Sequence, residues 1–584
     1  MGIRKLLSVA VFLATPILVN TQAAAFTQVI VFGDSLSDDG NIAHRVRDTF
    51  GFSYPSSNPT FNYSDYRFTD DTNTSPAANL YVGTWHEQLE KTFLGLAVAK
   101  NSLDGGTDYA FGGATTKDGT QDRTVINNPF PFSGGDFTIT IDNMGKQIND
   151  YLAGHAIDAN ALYILWGGGN DLFDDHSAQS VIDTANRVGG LIVRLANAGA
   201  RNFLVPNVPP LGAVPNSFGD PTRVAALDLA SANYRNQLNS VVASTKSGLA
   251  ATGITVQVYT FDVWLGVIRV LGQPRRYGFV DTIDSAQGQS GVNPDQYLFW
   301  DDLHPTTGGH HDLANEANRL LSGPIAPLAK ATNISTRGMV GTGQDVLIAG
   351  FVISGSQPKK VIVRALGPTL STLGVSGALA DPTIAIVNSS NVVVASNDNW
   401  RNTQEAQIAA SGFAPPNDLE SAIIVTLPPG SYSAVVSGKN GGIGIGLVDV
   451  YQLDASTSIF QNLSTRGFVG TGDNVLIGGL IIGNGEQPVI VVRAIGPTLS
   501  SFGITQPLQD PTLEVRDGNG GLIAFENDWQ DNTPTAVKAT LLQPQDSRES
   551  AVVLSLPAGN YTAIVRGKNG TTGVALVEAY RLHE

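Results

Sequence analysis

The chain contains no cysteine. That excludes disulfides, thiol nucleophiles and cysteine-ligated zinc in one step. It is also poor in charge: Asp, Glu, Lys and Arg make up 15%, with 51 acidic against 35 basic side chains and a net charge of −16. No basic tract occurs anywhere. Nucleic acid and anionic membrane surfaces are therefore disfavoured as partners, because both recruit proteins through clustered Lys and Arg. Histidine is scarce, with eight in the chain, so the search for a general base is short. Beyond the N-terminus no segment approaches the roughly 20 apolar residues that a membrane-spanning helix needs.

What the chain has in quantity is apolar residues (42%), 64 glycines and 30 prolines. That composition buries large cores and turns often, and the length implies about two to four domains. At the start, Arg4-Lys5 precede the apolar stretch Leu6 to Val19, broken only by Ser8, Thr15 and Pro16, and Ala23-Ala24-Ala25 follow. This is the layout of a secretory signal peptide over residues 1–25, cut after Ala25. The mature chain is expected to be exported, either secreted or periplasmic, without a transmembrane segment.

Two regions follow different rules. Residues 26–328 alternate strand-like and helical runs. Leu162-Tyr163-Ile164-Leu165-Trp166 reads as a strand buried on both faces, and Asn202–Pro206 and Thr255–Tyr259 are further candidates. Val181, Ala185, Val188, Ile192 and Leu195 mark one face of a helix, and residues 222–250 form another long helical stretch. The alternation predicts an α/β fold with a largely parallel sheet. Beyond residue 330 the chain repeats itself at an offset of 129 residues. Asn333-Ile334-Ser335-Thr336-Arg337-Gly338 returns as Asn462-Leu463-Ser464-Thr465-Arg466-Gly467, and Arg364-Ala365-Leu366-Gly367-Pro368-Thr369 as Arg493-Ala494-Ile495-Gly496-Pro497-Thr498. A period this long is a duplicated domain, not a solenoid unit. Short strands with turn signals predict β-sandwich-like copies over 333–454 and 462–584, with linkers near 325–332 and 455–461.

One turn stands out in the first region. Gly33-Asp34-Ser35-Leu36 follows the apolar run Val29-Ile30-Val31-Phe32, and open α/β sheets carry their reacting groups at such strand ends. A serine needs a base to act as nucleophile. His44, His86, His155 and His176 read as surface residues without a carboxylate at a useful spacing, and His583 lies in the repeats. His304 differs: Asp301 stands three residues before it, close enough on a tight loop to hold one imidazole nitrogen and leave the other for a serine. His310 and His311 fall on the helical stretch that follows.

Four blocks in order now resemble the GDSL esterases and lipases, or SGNH hydrolases: Phe32 to Asn41, Tyr109-Ala110-Phe111-Gly112-Gly113-Ala114-Thr115, Gly168-Gly169-Asn170-Asp171, and Asp301-Asp302-Leu303-His304-Pro305-Thr306. The resemblance covers residues 28 to about 318. It implies a flavodoxin-like three-layer α/β/α domain with Ser35 as nucleophile, His304 as general base and Asp301 as its orienting carboxylate. It further implies an oxyanion hole made by the Ser35 N–H, the Gly113 N–H and the Asn170 amide. Gly112 competes with Gly113, and Asp302 with Asp301. Asp34 and Asp38 are read as bracing the serine turn through side-chain to backbone bonds, and Asp171 as a helix cap. Asp39 stands where related sequences often carry Thr.

The expected activity is hydrolysis of carboxylic esters, lipid esters included, through an acyl-serine intermediate and without metal or cofactor. The Trp-Asp-x-x-His-Pro-Thr ending resembles the lipase branch more than the sugar-acetylesterase branch. Acyl transfer to an alcohol is open on the same residues. A second reading is an adhesion or glycan-binding protein with an accessory acyl-hydrolase domain, in which the repeats contact a cell surface or polysaccharide. Asp398-Asn399-Trp400 and Asn527-Asp528-Trp529 read as polar turns beside a packed Trp, with a calcium-binding turn as the competing reading. An outer-membrane barrel is disfavoured by the clean duplication and the polar end Tyr580–Glu584.

Overall fold

A computed structural model describes residues 26–57, 63–70, 81–125, 137–323 and 331–582. The expected leader 1–25, parts of the loop-rich segments 52–80 and 117–140, most of the first linker, and His583 lie outside the described residues.

The first region runs β1 (Val29–Gly33), α1 (Asn41–Phe50), α2 (Trp85–Gln88), the hairpin β2 (Thr120–Val125) and β3 (Phe137–Asp142), α3 (Met144–Gly154), β4 (Leu162–Trp166), α4 (Gly169–Asp174), α5 (Ala178–Ala198), β5 (Asn202–Pro206), α6 (Pro221–Ala251), β6 (Gln257–Phe261), α7 (Val263–Gly272), the short parallel pair β7 (Asp281–Ser285) and β8 (Tyr297–Phe299), and α8 (Thr307–Leu321). The main sheet is parallel in the order β1-β4-β5-β6. Residues 107–111 extend it on the far side of β1, since Val31 N–H donates to Thr107 O at 3.0 Å and Tyr109 N–H to Val31 O at 2.8 Å. With that segment counted, the order is the flavodoxin-like 2-1-3-4-5, whose switch point lies between β1 and β4.

The three layers follow from the two-residue period of buried strands. Ile30, Phe32, Tyr163, Leu165 and Phe203 face α3, α5 and α6. Val29, Val31, Leu162, Ile164 and Leu204 face α7 and α8. The five periodic residues expected on one helix face are all buried on α5, and each large aliphatic among them contributes about 1.5–3 kcal/mol. The strand expected at Thr255–Tyr259 starts two residues later, at Gln257.

The first repeat comprises β9 (Ala331–Val340), β10 (Leu347–Ser354), β11 (Lys359–Leu366), α9 (Pro368–Thr372), β12 (Pro382–Asn388), β13 (Val393–Asn397), α10 (Glu405–Ala410), β14 (Ser421–Leu427), β15 (Gly430–Gly438) and β16 (Gly444–Gln452). The second comprises β17 (Ile459–Val469), β18 (Leu476–Ile482), β19 (Val489–Ile495), β20 (Pro511–Asp517), β21 (Leu522–Glu526), α11 (Pro534–Ala539), β22 (Ser550–Ser555), β23 (Gly559–Gly567) and β24 (Gly573–Leu582). The antiparallel sandwich expected from the turns is present, with a difference in connection. β9 pairs with β16 of its own copy and β18 of the other, while β17 pairs with β24 and with β10. The copies thus exchange their first strands about a pseudo-twofold axis. Thr336 and Thr465, equivalent residues, share a hydroxyl hydrogen bond of 2.6 Å there. One apolar core runs through both copies, and the linker expected at 455–461 is a crossover in which β17 has already begun. In the turn at Asp398, the Lys439 ammonium occupies the carboxylate at 2.7 Å and Asp381 lies 3.7 Å from the same nitrogen.

The second copy also docks on the first region. Trp264, Leu265, Ile268 and Leu271 of α7 pack on Val489, Val491, Trp529, Val537 and Val553. Arg276 donates to Ser555 O at 2.7 Å, and Ser555 N–H to Gln273 Oε1 at 2.8 Å. The first copy makes no such contact among the described residues, and its sequence explains why: exposed Lys360 and Gln407 stand where the second copy buries Val489 and Ala536. Giving the second copy the first copy's residues, Val489→Lys with Ala536→Gln, forces an unpaired charge into this interface. The expected loss is on the order of 2 kcal/mol or more in denaturant unfolding; an unchanged midpoint would show that docking contributes nothing to stability.

Candidate active site

β1 ends at Gly33, where any side chain would collide with the β4 backbone: a Cβ would sit 2.7 Å from Trp166 O. The chain then turns through Asp34, Ser35 and Leu36. Asp34 closes the turn with its side chain, accepting the Leu36 N–H at 3.1 Å, and with its carbonyl, accepting Ser37 N–H at 3.1 Å and Asp38 N–H at 3.0 Å. The buried Asp38 carboxylate accepts N–H groups from Gly40 (2.9 Å), Asn41 (2.7 Å), Ile42 (3.1 Å) and Gly112 (2.7 Å). Both carboxylates therefore brace the serine turn as the sequence implied. Burial pushes Asp34 up to about 6 and Asp38 up to about 7, against the N–H groups that favour their charge.

Ser35 Oγ lies 2.8 Å from His304 Nε2, and His304 Nδ1 lies 2.7 Å from Asp301 Oδ2. Asp301 Oδ1 accepts the N–H groups of Leu303 and His304 at 2.8 and 2.6 Å, and Oδ2 also accepts the Tyr63 hydroxyl at 2.8 Å. The His304 ring stacks on Phe68 at 4.7 Å between centroids. Burial alone would push His304 down, but the Asp301 carboxylate outweighs it, helped by Asp302 and Asp34, so the imidazole sits above its ordinary value. Asp301 responds in reverse: burial pushes it up, and His304 with the two N–H groups holds it below the usual carboxylate value. In the neutral ring, an Nδ1–H donated to the Asp301 carboxylate leaves the Nε2 lone pair for the serine hydroxyl, the arrangement that lets an alcohol lose its proton as it attacks.

Residues 29–317 match the family described as GDSL-like Lipase/Acylhydrolase. These residues form a GDSL-like lipase/acylhydrolase domain. Among curated proteins it is similar to Lipase 1 of Photorhabdus luminescens, 26% identical over 56% of this chain and 55% of the lipase. It is also similar to the phosphatidylcholine-sterol acyltransferase of Aeromonas hydrophila, 24% identical over 50% of this chain and 89% of that enzyme. The chain thus spans about half the length of the first relative. A solved GDSL-family lipolytic protein from Veillonella parvula aligns over 50% of this chain at 13% identity and a TM-score of 0.24.

In the GDSL domain the expected oxyanion donors Gly113 and Asn170, and the competing Gly112, are distinguished by what their N–H groups already do. The Gly112 N–H is spent on Asp38. The Gly113 N–H makes no hydrogen bond among the described residues, and Gly113 has φ +81°, a left-handed conformation that glycine adopts without strain. Asn170 enters α4 and gives one amide hydrogen to Ala114 O at 3.0 Å, leaving the other uncommitted. Arg123 joins the two segments, donating to Gly113 O at 2.9 Å and pairing with Asp174 of α4 at 2.7 Å. Nothing in the sequence signalled Arg123, which lies in a loop-rich stretch with no motif. Ser35, Asn170 and His304 line a cavity of about 110 Å³; Gly113 is not part of its wall.

Several expectations are corrected by the geometry. Asp302 is exposed and bonds Asn216, not His304. Asp171 does not cap its helix; it accepts Thr116 N–H and Oγ1–H at 2.9 and 2.8 Å and pairs with Arg187 at 2.9 Å. His86 is not a surface residue but fully buried, donating to Ser37 O at 2.8 Å and bonding Glu90 at 3.0 Å. Burial opposes its charge, yet Glu90, with Glu87 and Asp39, pushes it up to about 9. The signal was present, since Glu90 stands four residues on and one helical turn brings the pair together. His44 is likewise buried, 3.1 Å from Asp104. His310 sits behind the site, where burial takes it down to about 3 and its Nδ1 accepts the Trp85 N–H at 3.1 Å.

Asp38→Ala removes the acceptor of four N–H groups under the serine turn. With roughly 1–3 kcal/mol for each buried group left unsatisfied and partial recovery by water, the expected destabilisation is about 3 kcal/mol in denaturant unfolding. A loss below about 1 kcal/mol would show that the turn does not depend on Asp38.

Proposed function

We propose that this chain is an exported serine carboxylic ester hydrolase acting through an acyl-serine intermediate. The reading assigns residues 1–25 to the leader, 26–328 to the hydrolase unit, and 333–454 and 462–584 to the repeats. The observation that carries it is the unbroken hydrogen-bond chain Ser35–His304–Asp301 at the mouth of a mostly apolar cavity. Ser35 Oγ attacks the ester carbonyl carbon as its proton passes to His304 Nε2, and Asp301 stabilises the imidazolium. The carbonyl oxygen, now carrying the charge, is held by the Ser35 N–H, the Gly113 N–H and the free amide hydrogen of Asn170. The intermediate collapses to the acyl-serine, and His304 returns the proton to the departing alkoxide. Water then repeats the sequence on the acyl-serine and frees the acid. An alcohol in place of water would yield a new ester with no change in residue roles, and the resemblance to an acyltransferase keeps that outcome within the reading. The likeness to a lipase favours lipid esters among the substrates.

Hydrolysis of short p-nitrophenyl esters by the full chain is expected, and Ser35→Ala should lower it on the order of 10⁴-fold or more. An unchanged rate in that variant would remove Ser35 from the chemistry. His304 acts as the base only when neutral, and its raised pKa means that activity falls as pH drops through a value above the ordinary ~6.5. Asp301→Asn removes the charge that raises it, so the acid limb should move to lower pH while kcat falls. A flat rate from pH 5 to 8 in the parent chain would exclude His304 as base.

A further inference from the structure

The cavity beside Ser35 holds a carboxyl for which the proposed ester chemistry has no use. α8 contributes Gly309, Asp312, Leu313 and Glu316 to the wall, a spacing that places all four on one helix face. Gly309 packs close to Pro305, the neighbour of His304. A rise of about 1.5 Å per residue puts Asp312 about 4.5 Å, and Glu316 about 10.5 Å, farther along the axis from that end. Across the cavity, α7 presents Val263, Val267 and Val270.

The two carboxyls differ in their surroundings. Glu316 is paired with Arg269 of α7 and Arg319 of α8, each at 3.3 Å. Asp312 makes no hydrogen bond or ion pair among the described residues. The groups that face it are Glu316, which repels its charge, Arg269 and Arg319, which favour it at longer range, and the Tyr277 phenol. Burial first, then Glu316, pushes its carboxyl up to about 7.

We propose that Asp312 is a specificity-determining residue that selects esters whose chain in this cavity carries a hydroxyl, over esters with a plain alkyl chain. The proposal rests on the reading of Ser35 as an ester-cleaving nucleophile. An alkyl chain laid against an unpaired carboxyl strips its water and returns no hydrogen bond. A hydroxyl donates to it, or accepts from it when protonated, so both states are served. A cationic group would meet Arg269 and Arg319, already in place, and an anionic group would meet Asp312 and Glu316. A neutral donor is the chemistry left.

The test compares p-nitrophenyl esters of four- to eight-carbon acids with their terminally hydroxylated counterparts in the full-length parent, Asp312→Leu and Asp312→Asn. Each kcat/KM is referred to p-nitrophenyl acetate in the same variant, so a general loss of activity cancels. The parent should prefer the best hydroxylated ester over its alkyl partner by about tenfold or more, as expected where a half-buried carboxyl in the cavity wall is otherwise left unpaired. Asp312→Leu should bring that ratio to one or reverse it, and Asp312→Asn, which keeps an acceptor, should retain most of it. A parent ratio near one, or a ratio surviving in Asp312→Leu, overturns the proposal while Ser35-dependent acetate hydrolysis still stands. Absence of Ser35-dependent hydrolysis of any ester, acetate included, overturns the underlying reading as well.

Discussion

The site depends on one buried carboxylate. Asp38 gathers N–H groups from the start of α1 and from Gly112, and so fixes the serine turn against the loop that carries Gly113. Because β1 and β4 flank the switch point of the sheet, their C-terminal ends diverge and leave a crevice. Asp38 sets one lip of that crevice, and Asp171, tied to Thr116, sets the other. Arg123 then bridges the lips through Gly113 O and Asp174. The Ser35 hydroxyl is held by backbone that cannot shift without breaking several buried hydrogen bonds at once.

Electrostatics around His304 follow from the same burial. A buried imidazole would ordinarily lose its affinity for a proton, and Asp301 reverses this because it is itself held charged by two N–H groups and the Tyr63 hydroxyl. Phe68 covers the ring face. Beneath the turn, burial opposes a charge on His86, while Glu90, with Glu87 and Asp39, favours it. α7 connects this site to the repeats: one face lines the cavity, and the other packs on the second copy. A segment that looked like an appended module in the sequence is thus the backing of the cavity wall.

The sequence was most legible where one local rule decides the outcome. Buried parallel strands must be apolar throughout, so Leu162–Trp166 and Asn202–Pro206 could be placed to the residue. Asp301 and His304 lie three residues apart on one loop, so their contact was readable in advance. His86 was misread because its partner pattern, one helical turn to Glu90, was not weighed against its polar surroundings. Arg123 was unreadable, since a guanidinium reaching a distant carbonyl leaves no pattern in its own neighbourhood. The exchange of β9 and β17 was equally hidden: duplicated strands have interchangeable sequences, and pairing within or between copies satisfies the same alternation.

By itself, the sequence determined residue chemistry and local periodicity: a thiol-free chain, an α/β region with a serine at a strand end, an Asp–His pair, and a duplicated β-rich region. These depend on near neighbours and on the need to bury apolar side chains. Only the tertiary structure decided which glycine N–H was already spent, which copy carried the docking face, and that Asp312 entered the cavity without a hydrogen-bond or ion-pair partner among the described residues. Those outcomes depend on groups far apart in the chain meeting in a shared low-dielectric interior, where each buried donor or acceptor must find a partner or go without.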